Sequence, residues 1–161
     1  MVALVAENPV IVMLDEENGN RYMRPVDKKG LGEDGGLSWL VQDMHQELKS
    51  WGYPGGGTNA IIFKSDGDGS IVSVLEALAR CHGGRITPDM LPRGEHQSNG
   101  AVEEAGRIAR DHARVVKIHV PTRIGRELEV DEPIMPLLIR WEAMSLSRFQ
   151  RGKDNKTPDE R

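Results

Sequence analysis

Five consecutive apolar residues, Val10-Ile-Val-Met-Leu14, leave no polar side for a strand to turn toward water. A run this short between turn signals reads as a strand, and one apolar on both sides must be covered on both faces. Glu17-Asn18-Gly19-Asn20 follows as a hairpin turn signal, and Arg21 to Val26 reads as the antiparallel return strand. Whatever covers this hairpin has to come from the rest of the chain, and two kinds of apolar spacing supply it.

The first kind is helical. Leu37 to Trp51 reads as a helix with Ser38 as its N-cap, because Leu37, Leu40, Val41, Met44 and Leu48 keep helical spacing. Ser70 to His82 is a second helix, with Ile71, Val74, Leu75 and Leu78 inward and Gly83-Gly84 as its stop. Ser98 to Val120 is a long third helix, and Glu132 to Gln150 a fourth with Pro133 in its first turn. Ile134, Leu137, Leu138, Trp141 and Leu146 are among the apolar residues of the fourth. The second kind is strand-like. Asn59 to Lys64 reads as a third core strand and Arg85-Ile86-Thr87 as a short one, while Val2 to Ala6 is a short apolar piece expected to pair beside Val10 to Leu14. The glycine-rich stretches Gly30 to Gly36 and Gly52 to Gly57 read as loops, and Pro88 to Gln97 as a mobile loop. The order describes a mixed-sheet α/β domain with helices on both faces over residues 1–150, followed by a polar tail, 151–161, expected to fray.

Composition narrows the function classes. A net charge of −4 argues against coating nucleic acid by bulk charge and leaves room only for a local basic stripe. Aromatic residues make up 4%, too few for a base-stacking platform. The lone Cys81 excludes an intramolecular disulfide, fits a reducing compartment, and reads as a small buried or half-buried helix residue. No apolar run approaches the length of a membrane span, and the N-terminus shows no secretory signal.

Two places carry chemistry. Asp66 ends a buried strand, where α/β sheets place ligands, and Gly67, Asp68 and Gly69 allow the sharp turn that exposes its carboxylate. The plainer reading is a turn aspartate among glycines. A calcium loop at Asp66-Gly-Asp-Gly-Ser fails: the sixth position is Ile71, the twelfth is Ala77, and a strand precedes it. In the long helix, Val102, Ala105, Ala109, Ala113, Val116 and Val120 form a stripe of small apolar residues suited to lying close on a sheet. Glu103 lies at the edge of that stripe, and Arg107, Arg110, Arg114 and Lys117 continue its line at helical steps. The plain reading is a solvated face with Glu103–Arg107 pairing. The functional one is a carboxylate near a metal, with cations below it to hold a phosphate backbone.

These residues resemble a known family. Lys64-Ser65-Asp66-Gly67 after an apolar strand resembles the second acidic motif of retroviral and retrotransposon integrase catalytic cores. Gly94-Glu-His-Gln-Ser-Asn-Gly-Ala-Val-Glu103 is similar to the third: a flexible loop, a Ser-Asn-Gly helix start, then the acid. The 36 residues between Asp66 and Glu103 match the family's spacing, and the resemblance covers nearly the whole chain, down to the ending Asn-Lys-Thr-Pro-Asp-Glu-Arg161. It implies an RNase H-like fold, with Asp66 and Glu103 as catalytic carboxylates holding Mg2+ or Mn2+. DNA is the implied partner, bound by Asn99, Arg107, Arg110, Arg114 and Lys117. It further implies a homo-oligomer in the intact family, origin in a retrotransposon Pol polyprotein, and an intracellular, ultimately nuclear, site of action.

One part of the family pattern is missing. The family carries its first acid on the central first strand, whereas Val2 to Ala6 contains no acid and Asp15 falls where a turn residue belongs. The chain therefore reads as an integrase core whose first strand is missing or degenerate, holding metal weakly and inactive alone. The competing readings are a non-enzymatic nucleic-acid-binding or assembly domain with the same fold, and a related RNase H-like nuclease.

Overall fold

A computed structural model describes residues 2–5, 10–26, 38–56, 60–65, 67–90, 100–129 and 132–161, the first four by backbone alone. In chain order the elements are β1 (Val2–Val5), β2 (Val10–Leu14), β3 (Arg21–Pro25), α1 (Ser38–Ser50), β4 (Ala60–Ser65), α2 (Gly69–His82), β5 (Arg85–Met90), α3 (Gly100–Ile124) and α4 (Ile134–Phe149). A short 3-10 turn, Pro158–Glu160, closes the chain. Leu37, the glycine-rich stretch 30–36 and the loop residues 91–97 lie outside the described residues.

The apolar run becomes the strand it demands. Along β2, Ile11 and Met13 join Tyr22 and Val26 in a core packed by α1 and α2, while Val12 and Met23 join Val102, Ala109 and Ala143 in a second core under α3 and α4. Alternate residues of one strand thus feed two cores, which is why β2 has no polar face. β2 pairs antiparallel with β3, setting Val12 opposite Met23, and β1 pairs antiparallel with β2, setting Leu4 opposite Ile11. The opening apolar piece pairs where it was expected to, and it is present as a strand.

Three expectations need correction. The strands form two sheets among the described residues, β1-β2-β3 and the parallel pair β4-β5, where one mixed sheet was expected. β1 lies close to β4 without a ladder. A four-residue strand offers its free edge the hydrogen-bonding groups of only about two residues, a weak template for a neighbour's register. Second, Pro88 continues β5 to Met90. The residues from Thr87 on are exposed, and a proline at an exposed strand position costs no buried hydrogen bond. Third, α3 runs past Pro121 to Ile124. Proline's fixed φ is compatible with a helix, and near a free C-terminal end it removes only one backbone bond.

The tail also departs from expectation: it packs rather than frays. Thr157 and Pro158 are buried, Thr157 and Glu160 form a capping box, and Arg161 Nη1 donates to the Asn18 carbonyl at 2.6 Å on the β2–β3 turn. Arg161 also pairs with Asp154 at 2.8 Å. Its polar composition conceals this because the contacts are themselves polar. Cys81, expected to be buried or half-buried, is exposed near the end of α2, off the stripe of Ile71, Val74, Leu75 and Leu78 that faces the core.

Candidate functional site

Of the two acidic positions, Glu103 lies in a described element, and the residues flanking Asp66 are described. Ser65, the last residue of β4, is completely buried, and Gly67 turns the chain with φ 73°. Asp66 lies between them and outside the described residues, as does Asn99. The adjacent Asp68 is structural: its carboxylate caps α2, accepting from the Ser70 backbone N–H at 2.8 Å. This satisfies a donor that the helix start would otherwise leave open.

Glu103 lies in the first turn of α3, exposed, with no hydrogen bond or ion pair among the described residues. The helix is held by the residues beside it: Val102, Ala105, Gly106 and Ala109 are buried. Small side chains let α3 lie close to β1 and β2, so the stripe inferred from spacing is the packed face over its first half. β1, to which α3 packs on one side, also neighbours β4.

The basic ridge is partly neutralised. Arg107 pairs with Glu104 at 2.6 Å and with Asp111 at 2.9 Å, and Arg114 reaches Asp111 at 3.1 Å. The Glu103–Arg107 pairing of the plain reading is replaced by Glu104, at i,i+3. Hydrogen bonding from Arg107 holds the Glu104 carboxyl below its ordinary range. Arg110 and Lys117 are exposed and carry no ion pair among the described residues. The ridge therefore offers two free cations and two shared ones.

A further carboxylate reaches the end of β4 and is engaged there: Glu16 pairs with Lys64 at 3.0 Å. β1 is Val-Ala-Leu-Val. Asp15 accepts from the Glu17 N–H at 3.0 Å and the Asn18 side chain at 2.9 Å, and so serves the hairpin turn as expected. Glu7 is not among the described residues. Among those described, no three His, Cys, Asp or Glu side chains are grouped to hold a metal ion, and no helix is long and apolar enough to cross a membrane.

Sequence reasoning missed three buried polar features. Arg24 and Tyr22, on one face of β3, both reach Asp43 of α1: Tyr22 Oη donates at 2.8 Å, and Arg24 binds both carboxylate oxygens at 2.5 and 2.9 Å. Burial would raise the Asp43 carboxyl, but the Arg24 guanidinium and Tyr22 hydroxyl outweigh it and hold it low. The signal was an arginine two residues from Tyr22 on a strand otherwise buried. Glu142 is buried in α4. His45 and His82 meet between α1 and α2, with Nδ1 to Nδ1 at 3.2 Å. Nothing in the spacing marked the last two.

No sequence profile of a protein family matches the chain. No curated protein matches it. Solved structures do. The chain is similar to the catalytic core domain of BIV integrase, with a TM-score of 0.60 and 14% identity, over 98% of this chain and 87% of that one. It is similar also to the catalytic core domain of HTLV-2 integrase, solved with magnesium in a trimeric form, with a TM-score of 0.63 and 12% identity, over 98% and 89%. The fold is that of retroviral integrase catalytic cores.

Proposed function

We propose that this chain, which has the integrase-core fold, is a retroelement integrase core fragment over residues 1–150 that binds DNA and is inactive in strand transfer by itself. The observation that carries the reading is Glu103, an exposed carboxylate with no ion pair among the described residues, in the first turn of a helix packed on the sheet, separated from Asp66 by 36 residues and heading a line of cations. Carboxylates are the hard oxygen donors that Mg2+ or Mn2+ prefers, so the donor type fits. Asp66 and Glu103 would hold the ion, which when bound supplies charge stabilisation to the oxygens of a phosphoryl displacement.

The rest is the work of the chain's own residues. Arg110 and Lys117, with Arg107 and Arg114 behind their acidic partners, hold the phosphate backbone along α3, and Asn99 contacts DNA where the helix starts. β1 brings no carboxylate, so the pair of acids holds metal weakly. The exposed residues Ile134, Leu137, Trp141 and Met144 follow one stripe of α4 and form the surface through which copies associate. The natural setting is a retrotransposon Pol product acting in the nucleus.

The second reading, a DNA-binding or assembly domain that has lost chemistry, is favoured by the acid-free β1. Isothermal titration with Mg2+ and Mn2+ separates the two. Weak binding that disappears in Asp66→Asn and in Glu103→Gln supports a residual metal site. Binding indifferent to both substitutions supports the second reading.

A further inference from the structure

His45 and His82 lie 37 positions apart, on α1 and α2, and their Nδ1 atoms face each other at 3.2 Å. The rings are close to perpendicular, at 84°, with centroids 5.3 Å apart. Two imidazole nitrogens bound to one tetrahedral zinc at the usual bond length stand about 3.3 Å apart. The spacing found here, that of an N–H···N hydrogen bond between the rings, is also that of a chelating pair. We propose that His45 and His82 form a two-histidine site for a borderline transition-metal dication, Zn2+ in the first instance, with water completing the coordination. It lies on the α1–α2 side of the sheet, across from α3 and Glu103.

The site is built on one side and open on the other. His82 is 6% exposed and its ring is wedged by two glycines. A Cβ on Gly55, whose φ is +78°, would stand 2.2 Å from the His82 carbonyl oxygen, and a Cβ on Gly84 would stand 2.9 Å from the ring's Cδ2. Gly55 thus makes room for the His82 backbone and Gly84 for its ring. His45 is half-exposed, which gives an ion a route in from solvent. Without metal, one Nδ1 must carry hydrogen and donate to the other. With metal, both rings turn to the Nε2–H tautomer and present two lone pairs to the ion. Imidazole pairs suit Zn2+, Cu2+ or Ni2+, while Mg2+ prefers oxygen, so this site and the proposed carboxylate site select different ions.

The test uses untagged, full-length chain. Zn2+ is titrated against a competing chromophoric chelator, and thermal unfolding is followed with and without Zn2+. The expected result is one equivalent of Zn2+ bound and a Zn2+-dependent rise in Tm, since an ion bridging α1 and α2 binds the folded chain alone. His45→Gln, at a half-exposed position, should fold normally and bind at least about tenfold more weakly, losing the rise in Tm. The double variant Asp66→Asn, Glu103→Gln should bind Zn2+ as the wild type does, as should Cys81→Ser. The proposal is overturned if His45→Gln binds as tightly as wild type. It is equally overturned if Cys81→Ser or the carboxylate double variant abolishes binding, or if Zn2+ binds the wild type with no stoichiometric end point.

Discussion

Glu142 is 1% exposed, and its Oε1 meets no partner among the described residues. Burial pushes its pKa up to about 7 from an ordinary value of 4.5. Between pH 4.5 and 7 the folded chain therefore keeps a proton that the unfolded chain has lost. Stability must fall as pH rises through that window, by on the order of 1–3 kcal/mol. Glu142→Gln should remove this dependence, so that its Tm exceeds that of the wild type above pH 7 and converges with it on acidification. Parallel pH-dependent melts of the two proteins check it, and equal slopes would refute it. Asp43 runs the other way. Its carboxylate neutralises Arg24, whose side chain is 9% exposed, and accepts from Tyr22. Asp43→Ala would strand both donors and should cost about 2–4 kcal/mol in urea unfolding. Arg24→Met added to Asp43→Ala should recover much of that loss.

At the scale of elements, α3 is the informative one. Its 25 residues span about 37 Å, yet its fully buried positions stop at Ala109. Beyond them Val115 and Ile118 are 53% and 67% exposed, so the helix stands on the sheet with its first half and projects with its second. The ion pairs along it rank the basic residues. Arg107 is shared between Glu104 and Asp111, whereas Arg110 has no ion pair among the described residues. Arg110→Ala should weaken DNA binding more than Arg107→Ala, and each lost phosphate contact should lower the salt slope by about 1. Asp111→Asn should strengthen binding by releasing Arg107 and Arg114. Fluorescence anisotropy at several salt concentrations would decide this. Unchanged affinity in Arg110→Ala plus Arg114→Ala would make the ridge an ordinary solvated face. α4 divides its large apolar residues between its two sides. Glu142, Ala143, Leu146 and Ser147 are buried, while Leu137 and Trp141 are 64% and 51% exposed. A helix that packs one side inward and still exposes large apolar residues on the other leaves them for another surface.

The whole molecule is asymmetric about its sheet. One core sets α1 and α2 against Ile11, Met13 and Tyr22, and the other sets Val102 and Ala109 of α3 and Ala143 of α4 against Val12 and Met23. With α4 exposing its stripe, the chain should self-associate. Sedimentation velocity should show an oligomer that Leu137→Lys plus Trp141→Lys converts to monomer, without loss of the helical circular-dichroism signal. A wild-type monomer at all concentrations would contradict it. In strand-transfer assays with element-end DNA, in Mg2+ or Mn2+, the chain should bind and not join. Joining that vanishes in both Asp66→Asn and Glu103→Gln would show that the two acids suffice.

Local spacing alone determined the elements that could be read. The unbroken apolar run Val10 to Leu14 has one use, a strand covered on both faces, and the three- and four-residue spacing of α1, α2 and α3 has one use, a stripe against it. The place of Glu103 in the first turn of α3, at the edge of a packed stripe, was legible from spacing, and Gly83 because a helix that ends on glycine does so for a left-handed cap. Tertiary structure decided what depends on distant partners. Which side of α4 turns inward, that Arg24 meets Asp43, that His45 meets His82, and that Arg161 reaches the hairpin turn all follow from the relative placement of elements. Residues tens of positions apart leave no periodic trace in a sequence. Their meeting is set by how two cores close on opposite faces of one sheet, and that closure places a buried carboxylate or a pair of imidazoles where composition alone would put them in water.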